Sequence, residues 1–256
     1  MQEGATVVRE VKGYVYSDKP VEAVIGNNRI RFPANYYNDQ MGPHPGGGVA
    51  IKLMWPDFKP ARPGARKEWT RDDNYRAITI QIDALREERP AELLEDLIDL
   101  HKRRSPNPRE PQDPSDILEM RIRLPEEHGL TPYIIDQDKL DVYDQQTGNR
   151  LNRGGSWEVD WYIHRTDGRI DTLIECGSRL HQGDGFKVVN GGLVFDGSHR
   201  VALCDHYALD VAKGLAFRIY YPRAYIGDWR RIESAVRAAV EEYRSGDERP
   251  RAQEEA

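Results

Sequence analysis

Four residues near the end of the chain, Cys176, His199, Cys204 and His206, are the ones whose types could do chemistry together. Two thiolates and two imidazoles form a ligand set that tetrahedral zinc accepts, so a zinc site at Cys176, His199, Cys204 and His206 is one reading. The spacing argues against it, because neither the cysteine pair nor the histidine pair has the short separation of a zinc finger. A thiolate nucleophile assisted by His206 or His199 is a weaker reading, since no orienting third group or oxyanion donor accompanies it. The favoured reading is a disulfide between Cys176 and Cys204, the only two cysteines in the chain, with Cys176 ending one strand and Cys204 sitting before another. The catalytic set is therefore empty, and neither a metal nor any other cofactor is called for.

Those residues must be positioned by elements whose periodicity is mostly that of strands. Trp157 to Ile163 and Arg169 to Glu175 flank the turn Thr166-Asp167-Gly168 and read as a hairpin. Phe186 to Val189 and Leu193 to Phe195 read as another around Asn190-Gly191-Gly192, and Val21 to Ile25 with Arg29 to Phe32 as a third around Asn27-Asn28. Val49, Ile51, Leu53 and Trp55, then Ile78, Ile80 and Ile82, alternate with more polar neighbours, as half-buried strands do. Leu215, Phe217, Ile219 and Tyr221 line one face of a strand that Pro222 ends. Two helices interrupt this pattern. Pro90 opens one over residues 91–104, with Leu93, Leu94, Leu97 and Ile98 on a single face, and Asp228 caps a second from Trp229 to Arg244.

Strands with helices placed irregularly among them predict an α+β fold: mainly antiparallel sheets, each with a helix packed on it, arranged as two similar lobes. The proline-rich run from Arg103 to Pro114 predicts an exposed loop and supplies the boundary. Residues 1–110 would form the first lobe with helix 91–104, residues 111–244 the second with the C-terminal helix, and 245–256 a disordered tail. A single compact domain also fits 256 residues.

Composition narrows the function classes. A formal charge of −6 disfavours nucleic acid as a general partner, because phosphate binding relies on clustered Lys and Arg. No stretch reaches the ~20 apolar residues of a membrane helix, so membrane insertion is not expected, and the first twenty residues lack the apolar centre of an export signal. Phosphate-binding glycine loops, the Gly-x-Ser-x-Gly elbow and the His-Glu-x-x-His helix are all missing from the sequence.

Several short runs carry a resemblance. They are Asp160-Trp161-Tyr162-Ile163, Ile174-Glu175-Cys176, Cys204-Asp205-His206-Tyr207, Phe217-Arg218-Ile219-Tyr220-Tyr221 and Asp228-Trp229-Arg230-Arg231-Ile232. Earlier come the segment from Val24 to Tyr36 and the run Met54-Trp55-Pro56-Asp57-Phe58. Together these resemble small proteobacterial envelope proteins, some of them similar to immunity proteins that neutralise type VI secretion effectors. The resemblance implies a non-catalytic periplasmic protein, its export signal removed, whose partner is a cognate effector toxin that it blocks sterically. The alternatives are a cytoplasmic location, a hydrolase with a dispersed active site, or a structural accessory of the envelope or secretion apparatus.

For a binding protein the candidate contacts are loop and surface residues. Tyr36, Tyr37, Asp39, Gln40 and His44 lie in one predicted loop, while Glu92, Glu95, Asp96 and Asp99 form the acidic face of the first helix and would steer a basic partner.

Overall fold

In the computed structural model, residues 6–43, 48–85, 92–98, 117–147, 158–198 and 200–244 are described. His44, Asp99, His199, the whole proline-rich run from Arg103 to Pro114 and the tail beyond 244 lie outside them, as do residues 99–104 of the expected first helix. The fold is α+β and its sheets are mostly antiparallel. The chain divides into two compact units, Met1–Ala84 with Ala212–Leu215 and Arg230–Ala256, and Leu85–Val211 with Ala216–Trp229. This division is not the expected cut near residue 110. The C-terminal helix joins the N-terminal strands, and the helix expected in the first lobe falls in the second.

The first unit begins with the hairpin β1 (Val8–Val11) and β2 (Tyr14–Ser17), followed by a second, β3 (Pro20–Ile25) and β4 (Asn28–Pro33). Its second turn is built on Gly26, at φ 56°, and not on the expected Asn27-Asn28 pair. A glycine at the first central position suits a primed turn, whose twist matches the flanking strands. Asn28 is then free to open β4, where its buried amide donates to the carbonyls of Ile25 and Lys213. Strands β5 (Val49–Met54) and β6 (Ala77–Ala84) pair so that Val49 faces Ile82, Ile51 faces Ile80 and Leu53 faces Ile78, all six buried. The one-and-a-half-turn helix α1 (Arg71–Arg76) precedes β6 and starts from a capping box in which Thr70 and Asp73 satisfy each other's backbone N–H groups.

In the second unit six strands run in the order β14, β13, β10, β9, β8, β7. They are β7 (Arg121–Arg123), β8 (Thr131–Ile135), β9 (Val159–Thr166), β10 (Arg169–Gly177), β13 (Leu203–Asp210) and β14 (Leu215–Pro222). The turn between β9 and β10 is Asp167-Gly168, both at positive φ, as the sequence predicted. A separate hairpin, β11 (Phe186–Val189) and β12 (Gly192–Phe195), turns through Asn190-Gly191 in the same way.

Each unit lays a helix on its strands. In the second, the described part of the first predicted helix is α2 (Leu93–Leu97); Leu94 and Ile98 pack with Trp161, Ile163, Ile170 and Leu173. Helix α3 (Gln137–Thr147) follows β8. In the first unit, α4 (Trp229–Tyr243) presents Ile232, Val236, Ala239 and Val240 inward, and Tyr243 packs its ring 5.7 Å from Phe32. No helix among the described residues is long and apolar enough to cross a membrane.

Candidate interaction site

The predicted loop from Tyr36 to Gln40 splits into two jobs. Tyr36 and Tyr37 are not surface contacts: they are 8% and 1% exposed. Tyr36 stacks on Phe32 at 5.6 Å and meets the Tyr243 ring at 5.2 Å, while Tyr37 donates its hydroxyl to the Val21 carbonyl at 2.7 Å. Burial, and next the hydrogen bond with Tyr243, pushes the Tyr36 phenol far above its ordinary range; burial alone pushes Tyr37 up to about 12. The physical reason is local. Pro33 feeds a single helical turn (Ala34–Tyr36), which rotates both rings into the core.

Asp39 is exposed, whereas Gln40 is 2% exposed and is no free surface contact either; both border a surface cavity. They line a cavity of about 320 Å³ together with Tyr16, Asn38, Met41, Arg66 and Lys67, all residues of the first unit. Gln40 is in the left-handed region at φ 63°, a costly conformation for a side-chain-bearing residue that persists only where surroundings enforce it. The enforcement is visible. Its amide nitrogen faces the carbonyls of Arg62 at 3.1 Å, Asn35 at 3.5 Å and Ala61 at 3.5 Å, and its backbone N–H donates to Tyr37 O at 2.9 Å. Asp39 turns the next segment, its Oδ1 accepting the N–H groups of Met41 at 2.9 Å and Gly42 at 3.3 Å.

The opposite wall is basic. Arg66 donates to Asn38 Oδ1 at 3.3 Å and lies over the Trp69 ring at 5.3 Å, and Lys67 lies over the Tyr14 ring at 5.6 Å. Lys52 also lies over the Trp69 ring, 5.7 Å from its centre. Burial, reinforced by the charge of Arg66, lowers its ammonium to about 8. Sequence reasoning missed Tyr16, Arg66 and Lys67. Pro63-Gly64 was the available signal, a turn pair that delivers Arg66 and Lys67 on a short helical segment (Ala65–Glu68).

The acidic helix is not a free charged face either. Glu92, Glu95 and Asp96 are all half-buried. Glu95 Oε1 accepts the backbone N–H of Ile170 at 2.7 Å, beside the register irregularity of β10 between Ile170 and Thr172. The carboxylate thus satisfies a strand N–H next to the point where the ladder slips. Asp99 and His44 lie outside the described residues.

The zinc and thiolate readings are overturned by the cysteines themselves. Cys176 and Cys204 form a disulfide, which leaves no thiolate for either role. Cys204 does not sit before a strand but lies within β13, whose start the sequence reading missed. His206 is fully buried, its Nδ1 3.2 Å from the Tyr221 hydroxyl and its ring 6.1 Å from that of Trp229, which makes it a core residue. A second cavity, of about 420 Å³, lies in the second unit between Met120 and the Val142 and Tyr143 side of α3.

No family model matches this chain, and no curated protein matches it. A solved structure does, and it shows that the chain belongs to a family of bacterial secretion-system immunity proteins. That relative is Smlt3025, described as an immunity protein of the Stenotrophomonas maltophilia type IV secretion system. It is 36% identical in sequence, with a TM-score of 0.81 over 94% of this chain and 98% of that one. The immunity-protein resemblance read in the sequence is therefore right in kind, while the relative belongs to a type IV and not a type VI system.

Proposed function

We propose that this chain is a non-catalytic inhibitor that binds a cognate antibacterial effector toxin and blocks it sterically. The observation that carries the reading is the match to the Stenotrophomonas immunity protein, which runs through nearly the whole of both chains at 36% identity. Because that relative serves a type IV secretion system, the effector we propose is one delivered by such a system. A periplasmic location fits the Cys176–Cys204 disulfide, since disulfides form and persist in oxidising compartments. The contacts belong to the cavity around Asp39 and Gln40, where charged, polar and apolar groups converge on the surface of the first unit.

The test is to co-express the chain with each secreted-effector gene that neighbours its own, exporting both. A stoichiometric complex that co-purifies, together with survival of cells that the effector alone kills, is the expected result. Failure to protect, with turnover of a hydrolysable substrate by the isolated chain, would move the protein to the enzyme class.

A further inference from the structure

The cavity of the first unit is more specific than a generic contact surface. Its lining carries two cations, Arg66 and Lys67, against one carboxylate, Asp39, in a protein of net charge −6, and Lys12 joins the cations by donating to the Lys67 carbonyl at 3.4 Å. Two lining residues, each only 2% exposed, hold buried polar atoms with no partner: the Tyr16 hydroxyl and Gln40 Oε1. The orientation of Gln40 is fixed, because its amide nitrogen is the end facing three carbonyl oxygens. Buried polar groups are ordinarily satisfied; the orphaned Tyr16 hydroxyl can donate to an acceptor such as a carboxylate, whereas Gln40 Oε1, itself an acceptor, calls for a donor that a carboxylate does not supply. The cavity is at the small end of ligand sites, the size of a side chain and its immediate backbone.

The rim indicates where that side chain comes from. Met41 is 51% exposed and Tyr14, whose ring lies under Lys67, is 56% exposed, so a charged centre is bordered by apolar groups left in water. A polar anchor inside an apolar border is how protein interfaces exclude solvent from their central contacts.

We propose that this cavity receives an aspartate or glutamate side chain of the effector, its carboxylate paired with Arg66 and Lys67 while Met41 and Tyr14 cover the surrounding surface. This rests on the inhibitor reading and reverses the steering expected from the acidic helix: the effector segment that docks here is acidic. A carboxylate drawn out of water between two cations forms charge-assisted hydrogen bonds, and loss of one cation exposes it to an unpaired environment.

The experiment uses the purified complex of this chain with the effector that co-expression identifies. Lys67→Glu is the main variant, because Lys67 is exposed and its replacement leaves the core untouched. We expect its affinity for the effector to fall at least tenfold, Arg66→Ala to weaken binding similarly, and Lys187→Glu on the exposed strand β11 of the second unit to stay within twofold of the native protein. Both variants should show the native circular dichroism spectrum. If the native chain binds the effector and both Lys67→Glu and Arg66→Ala bind it within twofold as tightly, the cavity assignment is wrong while the inhibitor reading stands. If the native chain binds no effector, the inhibitor reading itself has failed. Sodium glutamate and sodium acetate are the remaining probes. Stabilisation of the isolated native chain, absent in Lys67→Glu, would assign the cavity to a free small carboxylate and overturn the effector side chain as occupant.

Discussion

Cys176 and Cys204 stand directly opposite each other in the antiparallel pairing of β10 with β13, and their sulfurs are joined across it. Both are buried at the centre of the second unit, among Ile174, His206 and Ala208 of the same two strands. Thiol titration of denatured, unreduced protein should therefore find no free thiol. The bond closes a separation of 28 residues. In the chain-entropy model that closure is worth about 3–4 kcal/mol, so a Cys176→Ser, Cys204→Ser protein should unfold at clearly lower urea concentration. Two free thiols in the native protein would contradict the pairing.

Glu95 is a structural carboxylate. Replacing it by alanine leaves the Ile170 N–H without its acceptor at a half-buried position, which costs about 1–3 kcal/mol. Glu95→Gln keeps an acceptor oxygen and should cost less. Urea titration of the two variants makes the comparison, and an equal loss in both would show that charge, not acceptance, is what Glu95 supplies. Reversing the whole acidic face, Glu95 included, is expected to damage the fold, so it is not a clean probe of partner steering.

Lys52 gives stability a pH dependence whose sign is fixed. Burial first, and then the charge of Arg66, depress its ammonium to about 8 from an ordinary 10.5. Between those two values the unfolded chain binds a proton that the folded protein does not, so stability rises as pH rises from about 8 toward 10.5. Tyr37 acts the other way at higher pH. Its phenol is raised from 10.0 to about 12, so stability is lost once the unfolded phenol ionises above about 10. Denaturation midpoints between pH 8 and 10 should climb in the native protein and flatten in Lys52→Met. A native midpoint that falls over this interval would refute the account.

Gly64 supports the cavity from below. It sits at φ 71°, and a Cβ there would come within 2.7 Å of Val11 Cγ2 and 2.9 Å of Tyr16 Cδ2. Gly64→Ala should therefore displace Tyr16 and cost about 1–3 kcal/mol of stability. It should weaken effector binding beyond what the control Lys187→Glu does. Native stability in Gly64→Ala would mean that the loop relaxes without moving the Tyr16 ring.

Legibility followed the range of the interactions. Turns were readable where a dipeptide demands positive φ, as at Asp167-Gly168 and Asn190-Gly191, because that demand is satisfied by the residues themselves. Strands were readable where one face is buried, as in β5 and β6, because alternation records which side meets the core. The strands β1, β2, β7, β8 and β13 and the helices α1 and α3 escaped notice: the strands are short or expose apolar groups such as Val8, Tyr14, Val15, Ile122 and Leu203, and α3 has no clear apolar stripe.

From the sequence alone came the α+β class, the cysteine pairing and the kinship in kind with immunity proteins, since each depends on local periodicity, on there being only two cysteines, or on runs of matching residues. The tertiary structure decided which loop residues are surface. Tyr36 and Tyr37 are consecutive with Asn38 and Asp39, yet a single turn of helix sends the first two into the core against Phe32 and Tyr243, leaving Asp39 outside. It also gathered Tyr16, Gln40, Arg66 and Lys67 around one cavity. These four come from three separate stretches of chain, and only the packing of those stretches places an unpaired hydroxyl, an unpaired amide oxygen and two cations side by side.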